Sequence, residues 1–312
     1  MLDYDVHTPP RHSVGSQLAF LFMFTGMGII LGSLVTLFIT GQYLHIPFDK
    51  IPEALQSTND TTLLRILQPV TTFFIMALPA IAFGLIMNRR PLQYMGFNGA
   101  ISGKQVFLVI IIIVMGLLLS GSLSLVNEMI PVSKTAEAYF KNLENEYNKQ
   151  MMGIANMRSV QDYILSLFII ALLPAIFEEM LFRGALQPIL INLTKNAFAG
   201  ILITSILFSA IHFSYYGFLP RLALGLIIGY TFYYSKNLWL ASITHFLYNA
   251  IGVSQLYSLS RKGLLNPDAM NEDTISIYYG LLAAGALYGL FIFFKRESQV
   301  VISMYNFRKH KL

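Results

Sequence analysis

The chain has no cysteine, and only 12% of its 312 residues are charged. The first absence excludes disulfides, thiolate metal sites and a cysteine nucleophile together. The second separates the chain from ordinary soluble domains, in which about a quarter of residues carry charge. Hydrophobic residues make up 55%, so the expected class is all-α, a polytopic transmembrane helical bundle. The short alternating segments of about ten residues that an outer-membrane barrel needs are missing as well. So are an internal repeat, a low-complexity tract and a linker long enough to part a second domain; residues 1–312 read as a single integral-membrane domain. The opening stretch "MLDYDVHTPPRHSVGSQ" lacks the basic start and small-residue cleavage site of a signal peptide, so the first apolar run is expected to stay. The net charge of +5 comes from short loops and the C-terminal tail and calls for no nucleic-acid partner.

What is present is a series of long apolar runs. About eight candidate spans can be drawn, at 17–40, 66–87, 105–129, 160–182, 197–214, 218–235, 238–256 and 275–294. The fourth is expected to continue as helix to about Leu193. The 88–104 loop carries Arg89, Arg90 and Lys104 with no acid, and the tail carries five bases against Glu297. The loops at 41–65, 130–159 and 257–274 are mixed. This alternation, with an even number of spans, puts both termini on the cytoplasmic side. One loop has a helical stripe: in 134–157, Phe140, Leu143, Tyr147 and Met151 share a face with charges opposite. Such a stripe suits an interfacial helix, and a lid over a cavity is the sharper alternative.

Of the 16 acids, 14 fall in loops, tails or span edges. The exceptions are Glu178 and Glu179, in "AIFEEMLFRGAL" (175–186). Of the six histidines, His7, His12, His45 and His310 lie outside the spans, whereas His212 and His245 lie inside. An ionised side chain at the centre of a bilayer costs about 3 kcal/mol even on lenient scales, so each is expected to have a partner and a role. Glu179 and Arg183 are four residues apart on one helical face and can pair. Glu178 points elsewhere and is left as a desolvated carboxylate suited to act as a base. Glu178 lies about 16 residues before the turn at 193–196 and His212 about 17 after it, so antiparallel helices place them at one depth. His245 and Asn249 share a face one turn apart on the seventh span.

Two arrangements stay open at this point. In one, Glu178 (or Glu179), His212 and His245 hold Zn²⁺ or another divalent metal with a position free for water. In the other no metal is present: Glu178 deprotonates water with the help of His212, while His245 and Asn249 stabilise the oxyanion. The bland reading makes these groups interhelical glue that merely satisfy one another. A proton- or ion-coupled transporter is the rival of another class, since buried Glu and His also build relays, and Pro174 is the kind of break such helices carry. A catalytically idle immunity or binding protein that grips a peptide is the third reading.

E-E-x-x-x-R, F-x-x-x-H and H-x-x-x-N occur in order on successive apolar spans, as "EEMLFR" (178–183), "FSAIH" (208–212) and "HFLYN" (245–249). This set resembles the CAAX-protease and bacteriocin-processing family, also called the abortive-infection family, which includes the eukaryotic Ras-converting endoprotease. The resemblance covers about residues 160–255, and "NRRPLQYMGF" (88–97) is similar to the family's basic segment before the next span. It implies endopeptidase activity inside the membrane, with Glu178 as general base, Glu179 held by Arg183, and His212, His245 and Asn249 completing the site. The family is described both as metalloproteases and as glutamate proteases. The implied substrates are a membrane protein, a lipidated peptide or a bacteriocin-like peptide. The implied setting is the lipid bilayer, for which the short loops suit a bacterial inner membrane.

Overall fold

The computed structural model describes residues 12–58, 60–155, 157–265 and 274–309. His7, His310 and the acids of the 257–274 loop (Asp268, Glu272 and Asp273) lie outside these residues. Among the described residues the fold is all-helical, without a strand. In chain order the helices are α1 (Val14–Leu44), α2 (Ile51–Ser57), α3 (Thr61–Met87), α4 (Pro91–Tyr94), α5 (Gly103–Glu128), α6 (Lys134–Ala155), α7 (Val160–Thr194), α8 (Ala197–Ala210), α9 (Phe218–Ser235), α10 (Leu238–Arg261) and α11 (Ile277–Lys309). The chain is an integral membrane protein.

All eight expected apolar segments are helical, but they divide into two kinds. Five, namely α1, α3, α5, α7 and α11, are long and apolar enough to cross a bilayer. The other three, α8 to α10, are not among them. Helix α8 has 14 residues, or about 21 Å at the helical rise, short of the roughly 30 Å hydrocarbon core. Helix α9 carries Arg221 and three tyrosines, and α10 carries His245, Asn249 and several hydroxyls. Helix α9 packs between α8 and α10 and against α5, while α8 and α10 pack on α7. As expected, α7 runs unbroken to Thr194, over 35 residues.

Three π-helical turns interrupt the long helices, at Phe73–Ala77, Leu167–Leu172 and Met180–Leu186. Each is followed, at the second residue of the next α-helical stretch, by a proline: Pro79, Pro174 and Pro188. Proline lacks the N–H that would bond four residues back, and its ring crowds that carbonyl. A widened turn just before it relieves the crowding without breaking the helix. The two π turns of α7 flank Glu178 and Glu179, so the segment bearing the carboxylates is set off from regular α-helix on both sides.

The 88–100 segment closes one end of the bundle. Met95 is fully buried against Gly184 of α7, and the Gly96 carbonyl accepts from Leu238 N at 2.9 Å. Asn237, which caps α10, donates to Asn98 Oδ1 at 2.9 Å and to the Ala100 carbonyl at 3.0 Å. At the other end lies α6, the helix anticipated for 134–157. Its Glu144 accepts from Ser214 Oγ at 2.7 Å, and Phe140 stacks on Tyr215 with centroids 4.5 Å apart. Helix α6 thus lies against the loop that follows His212. Of the expected stripe, the side chains of Tyr147 and Met151 are outside the described residues.

Candidate active site

Glu179 and Arg183 are both fully buried, and Arg183 Nη1 donates to Glu179 Oε1 at 2.9 Å. The pairing expected from their spacing therefore forms, even though a π turn begins between them. The same Oε1 accepts from His245 Nδ1 at 2.7 Å. The other guanidinium nitrogen of Arg183 donates to the Gly225 carbonyl at 3.0 Å, and one turn along Gln187 donates to the Gly229 carbonyl at 3.0 Å. These two bonds tie α7 to α9. The same glycines let α9 approach α8: a Cβ at 225 would press on Ser205 of α8, and one at 229 on Ile201.

Glu178 is held quite differently. Its Oε2 is buried and has no hydrogen-bond partner among the described residues. Electrostatic interactions tie it to His245, Glu179, Arg183 and Arg221. His212 interacts in the same way with Arg221, His245 and Arg183. Glu178 and His212 thus share His245, Arg183 and Arg221 as neighbours. Asn249 sits one turn beyond His245, half-buried, with no side-chain hydrogen bond among the described residues.

Both histidines have a defined tautomer. His212 Nδ1 lies 2.8 Å from the Phe208 carbonyl, which can only accept, so Nδ1 carries the proton. His245 Nδ1 faces a carboxylate and likewise donates. Each neutral ring therefore turns a bare Nε2 away from its partner. Phe208 is the apolar hub between them: its ring makes edge contacts with His212, His245 and Phe182, and Arg183 lies over it at 4.6 Å. This explains why phenylalanine stands four residues before His212. Its backbone orients one histidine while its ring packs the other.

A metal ligated by imidazole Nε2 commonly has Nδ1 bonded to a carboxylate or carbonyl, and these tautomers meet that condition. The spacing does not. Among the described residues no group of three or more His, Asp or Glu side chains lies close enough together to hold a metal ion.

Helix α8 ends at Ala210, so His212, expected on the helix itself, lies in the turn that follows it. That turn is pinned from three sides. Asn127 of α5 donates to the Tyr215 carbonyl at 2.8 Å and accepts from Leu219 N at 3.1 Å. Ser209 donates to the Phe218 carbonyl at 2.7 Å, and Ser214 to Glu144. None of these supports was anticipated from sequence. Arg221 was also passed over, although a base inside the 218–235 apolar run is as anomalous as the glutamates.

Fold and site together describe a membrane-embedded helical bundle with a buried polar cluster among apolar helices. Residues 160–251, which hold all three motifs, match the family described as type II CAAX prenyl endopeptidase Rce1-like. That match spans under a third of the chain and supports, in general terms, an intramembrane endopeptidase of the CAAX type. No curated protein and no solved structure matches the chain.

Proposed function

We propose that the protein hydrolyses a peptide bond of a membrane-associated or lipidated protein or peptide, using water activated by Glu178 beside His212. The observation that carries this reading is the unequal fate of the two adjacent carboxylates. Each glutamate keeps a buried Oε2 without a hydrogen-bond partner among the described residues, but Glu179 Oε1 accepts from both Arg183 and His245, and no such ties are made to Glu178. A carboxylate in that condition can take a proton from water as the water oxygen attacks the scissile carbonyl carbon. The same proton then passes to the leaving nitrogen as the carbon–nitrogen bond breaks.

The histidine tautomers refine the remaining roles. His245 spends its Nδ1 proton on Glu179, so in neutral form its Nε2 can only accept. The oxyanion donor is therefore the Asn249 amide, with His245 fixing the depth of Glu179. His212, whose Nδ1 proton goes to Phe208, offers Nε2 to the attacking water. Ligand spacing favours the metal-free form of this chemistry over Zn²⁺ or another divalent ion held by Glu178, His212 and His245. The setting proposed is a bacterial inner membrane with both termini cytoplasmic, supported by the basic 88–104 loop and tail. Bacteriocin-like peptides are among the candidate substrates.

The test is cleavage of a farnesylated peptide by the purified protein in nanodiscs, with metal content measured on the same samples. Wild type is expected to cleave and to hold no stoichiometric metal. Glu178→Gln and His212→Ala are expected to be inactive yet folded. Full activity in either variant removes the reading, and stoichiometric zinc lost in His212→Ala and His245→Ala replaces it with the metal form.

A further inference from the structure

Several bases packed among the helices meet an acid: Arg183 pairs with Glu179, Arg65 with Asp162 and Lys104 with Glu297. Lys236 does not. It caps the C-terminal end of α9 with φ 53° and is half-buried. Its Nζ lies 4.2 Å from the centroid of the Tyr233 ring. Among the described residues no carboxylate comes within ion-pair distance of it. Burial lowers its pKa to about 8, with no acid acting in the other direction, so the group still carries its charge at neutral pH.

A second ammonium sits on the neighbouring ring. Lys295 of α11 places its Nζ 5.7 Å from the centroid of Tyr234, and the rings of Tyr233 and Tyr234 are 5.5 Å apart. Glu297 is no partner for Lys295, being held by Ser102 at 2.9 Å and Lys104 at 3.2 Å. A ring face steadies an ammonium without neutralising it. Two such cations, brought to touching rings by different helices, repel one another unless an anion lies with them.

Depth identifies the class of that anion. One turn back along each helix, toward its apolar stretch, stand Tyr230 and Phe291. With Tyr234 they form a half-buried triangle of rings whose centroids are 5.6, 6.0 and 6.2 Å apart. Just beyond Lys236 in the chain, Trp239 packs on Phe97 at 4.7 Å. The Lys236 carbonyl accepts from Asn98 of the basic 88–104 segment at 3.0 Å. Lysines beside a girdle of Tyr, Trp and Phe mark the level at which hydrocarbon gives way to headgroups. The anion met at that level is the phosphate of a phospholipid, and basic pockets between helices on the cytoplasmic side take such groups. The ring triangle offers apolar surface to acyl chains, which a free phosphate would not use.

We propose that Lys236 and Lys295, seated on Tyr233 and Tyr234, bind the phosphate of an anionic phospholipid whose chains lie along Tyr230 and Phe291. The consequence reaches the closed end of the bundle. The Lys236 carbonyl holds Asn98, Gly96 lies against the same carbonyl, and Met95 beside it is buried on Gly184 of α7. A lipid that fixes Lys236 thereby steadies the segment packed on α7. This site stands apart from the endopeptidase reading and does not depend on it.

The chain has a single tryptophan, Trp239, exposed at its surface, so the site carries its own reporter. The experiment places the full chain in phosphatidylcholine nanodiscs with a small fixed fraction of brominated lipid, either phosphatidylglycerol or phosphatidylcholine, and reads quenching of Trp239. One nearby lysine favours an anionic headgroup about fivefold. Brominated phosphatidylglycerol is therefore expected to be preferred by about fivefold to 25-fold. Lys236→Gln and Lys295→Gln should each lower the preference about fivefold, and Lys236→Arg should keep it. Lys104→Gln removes an equal charge from the same end, but a paired one, and should leave the preference unchanged.

Equal quenching by the two brominated lipids would overturn the proposal, and this comparison needs no variant to fold. A loss in Lys104→Gln as large as that in Lys236→Gln would also overturn it, reducing the effect to diffuse surface charge. Relief of quenching by inorganic phosphate, beyond that given by sodium chloride at equal ionic strength, would assign the lysines to a soluble anion and overturn the lipid.

Discussion

Helices α7 and α11 are alike in being long and apolar enough to span a bilayer, yet they occupy opposite situations. Of the most apolar stretch of α11, 22% is buried within the protein, against 44% for α7. Helix α11 presents Tyr278, Leu282 and Tyr288 outward, each at least 70% exposed, to what in a bilayer is lipid. Helix α7 presents Glu179, Arg183 and Gln187 inward, each matched to a histidine, a carbonyl or one another. The contrast extends to ion pairs. Arg65 of α3 and Asp162 of α7 meet at 3.0 Å with 10% and 30% of their side chains exposed, whereas Arg183 and Glu179 have none. A polar group near the periphery can still reach water or headgroups. One at the centre of the bundle depends wholly on its protein partners, and so its loss cannot be compensated.

The sharpest way to test this contrast is at the carboxylates. Glu178→Gln should lower the cleavage rate by about 10²- to 10⁴-fold, the usual contribution of a positioned base, with the thermal midpoint little changed because no hydrogen bond to Oε2 is lost. Removing the inner arginine should act on the fold instead. Arg183→Ala should destabilise the protein by about 3–5 kcal/mol, since it strands Glu179 as a buried charge; denaturant titration in detergent measures it. At the outer pair, Arg65→Ala should cost only about 1 kcal/mol or less by the same titration. A loss at Arg65 equal to that at Arg183 would erase the distinction between inner and outer pairs. On the lipid-facing side of α11, Leu282→Ala should stay within about 0.5 kcal/mol. A larger effect there would mean that this surface is covered by protein.

Much of this organisation was legible from residue spacing. The all-helical class followed from the scarcity of charge, and the eight apolar segments all proved to be helices. The i, i+4 relation of Glu179 and Arg183 predicted their bond, whereas Glu178 and His212, set opposite one another by hairpin arithmetic, share neighbours. The count of full spans was less secure, because hydropathy alone does not separate a helix that faces lipid from one enclosed by its neighbours. Helix α9 is the enclosed one, with no exposed residue along its length, and so it tolerates tyrosines and Arg221; α8 and α10 still turn Phe198, Ile206, Trp239 and Ile251 outward.

Spacing along a helix is a local property, so the sequence by itself determined which polar residues share a face and which of two glutamates an arginine can reach. Partners that arrive from distant elements depend on how helices pack, and only the tertiary structure decided those. It joined His245 to Glu179 across 66 residues, aimed both histidine tautomers, and set Gly225 and Gly229 against Arg183 and Gln187. It also brought Asn127 and Glu144 to the turn after His212, and folded Arg221 over Gly217. The physical reason is the same in each case: deep in an apolar bundle a polar atom must find a specific partner, and that partner's identity is fixed by close approach of helices and not by its distance along the chain.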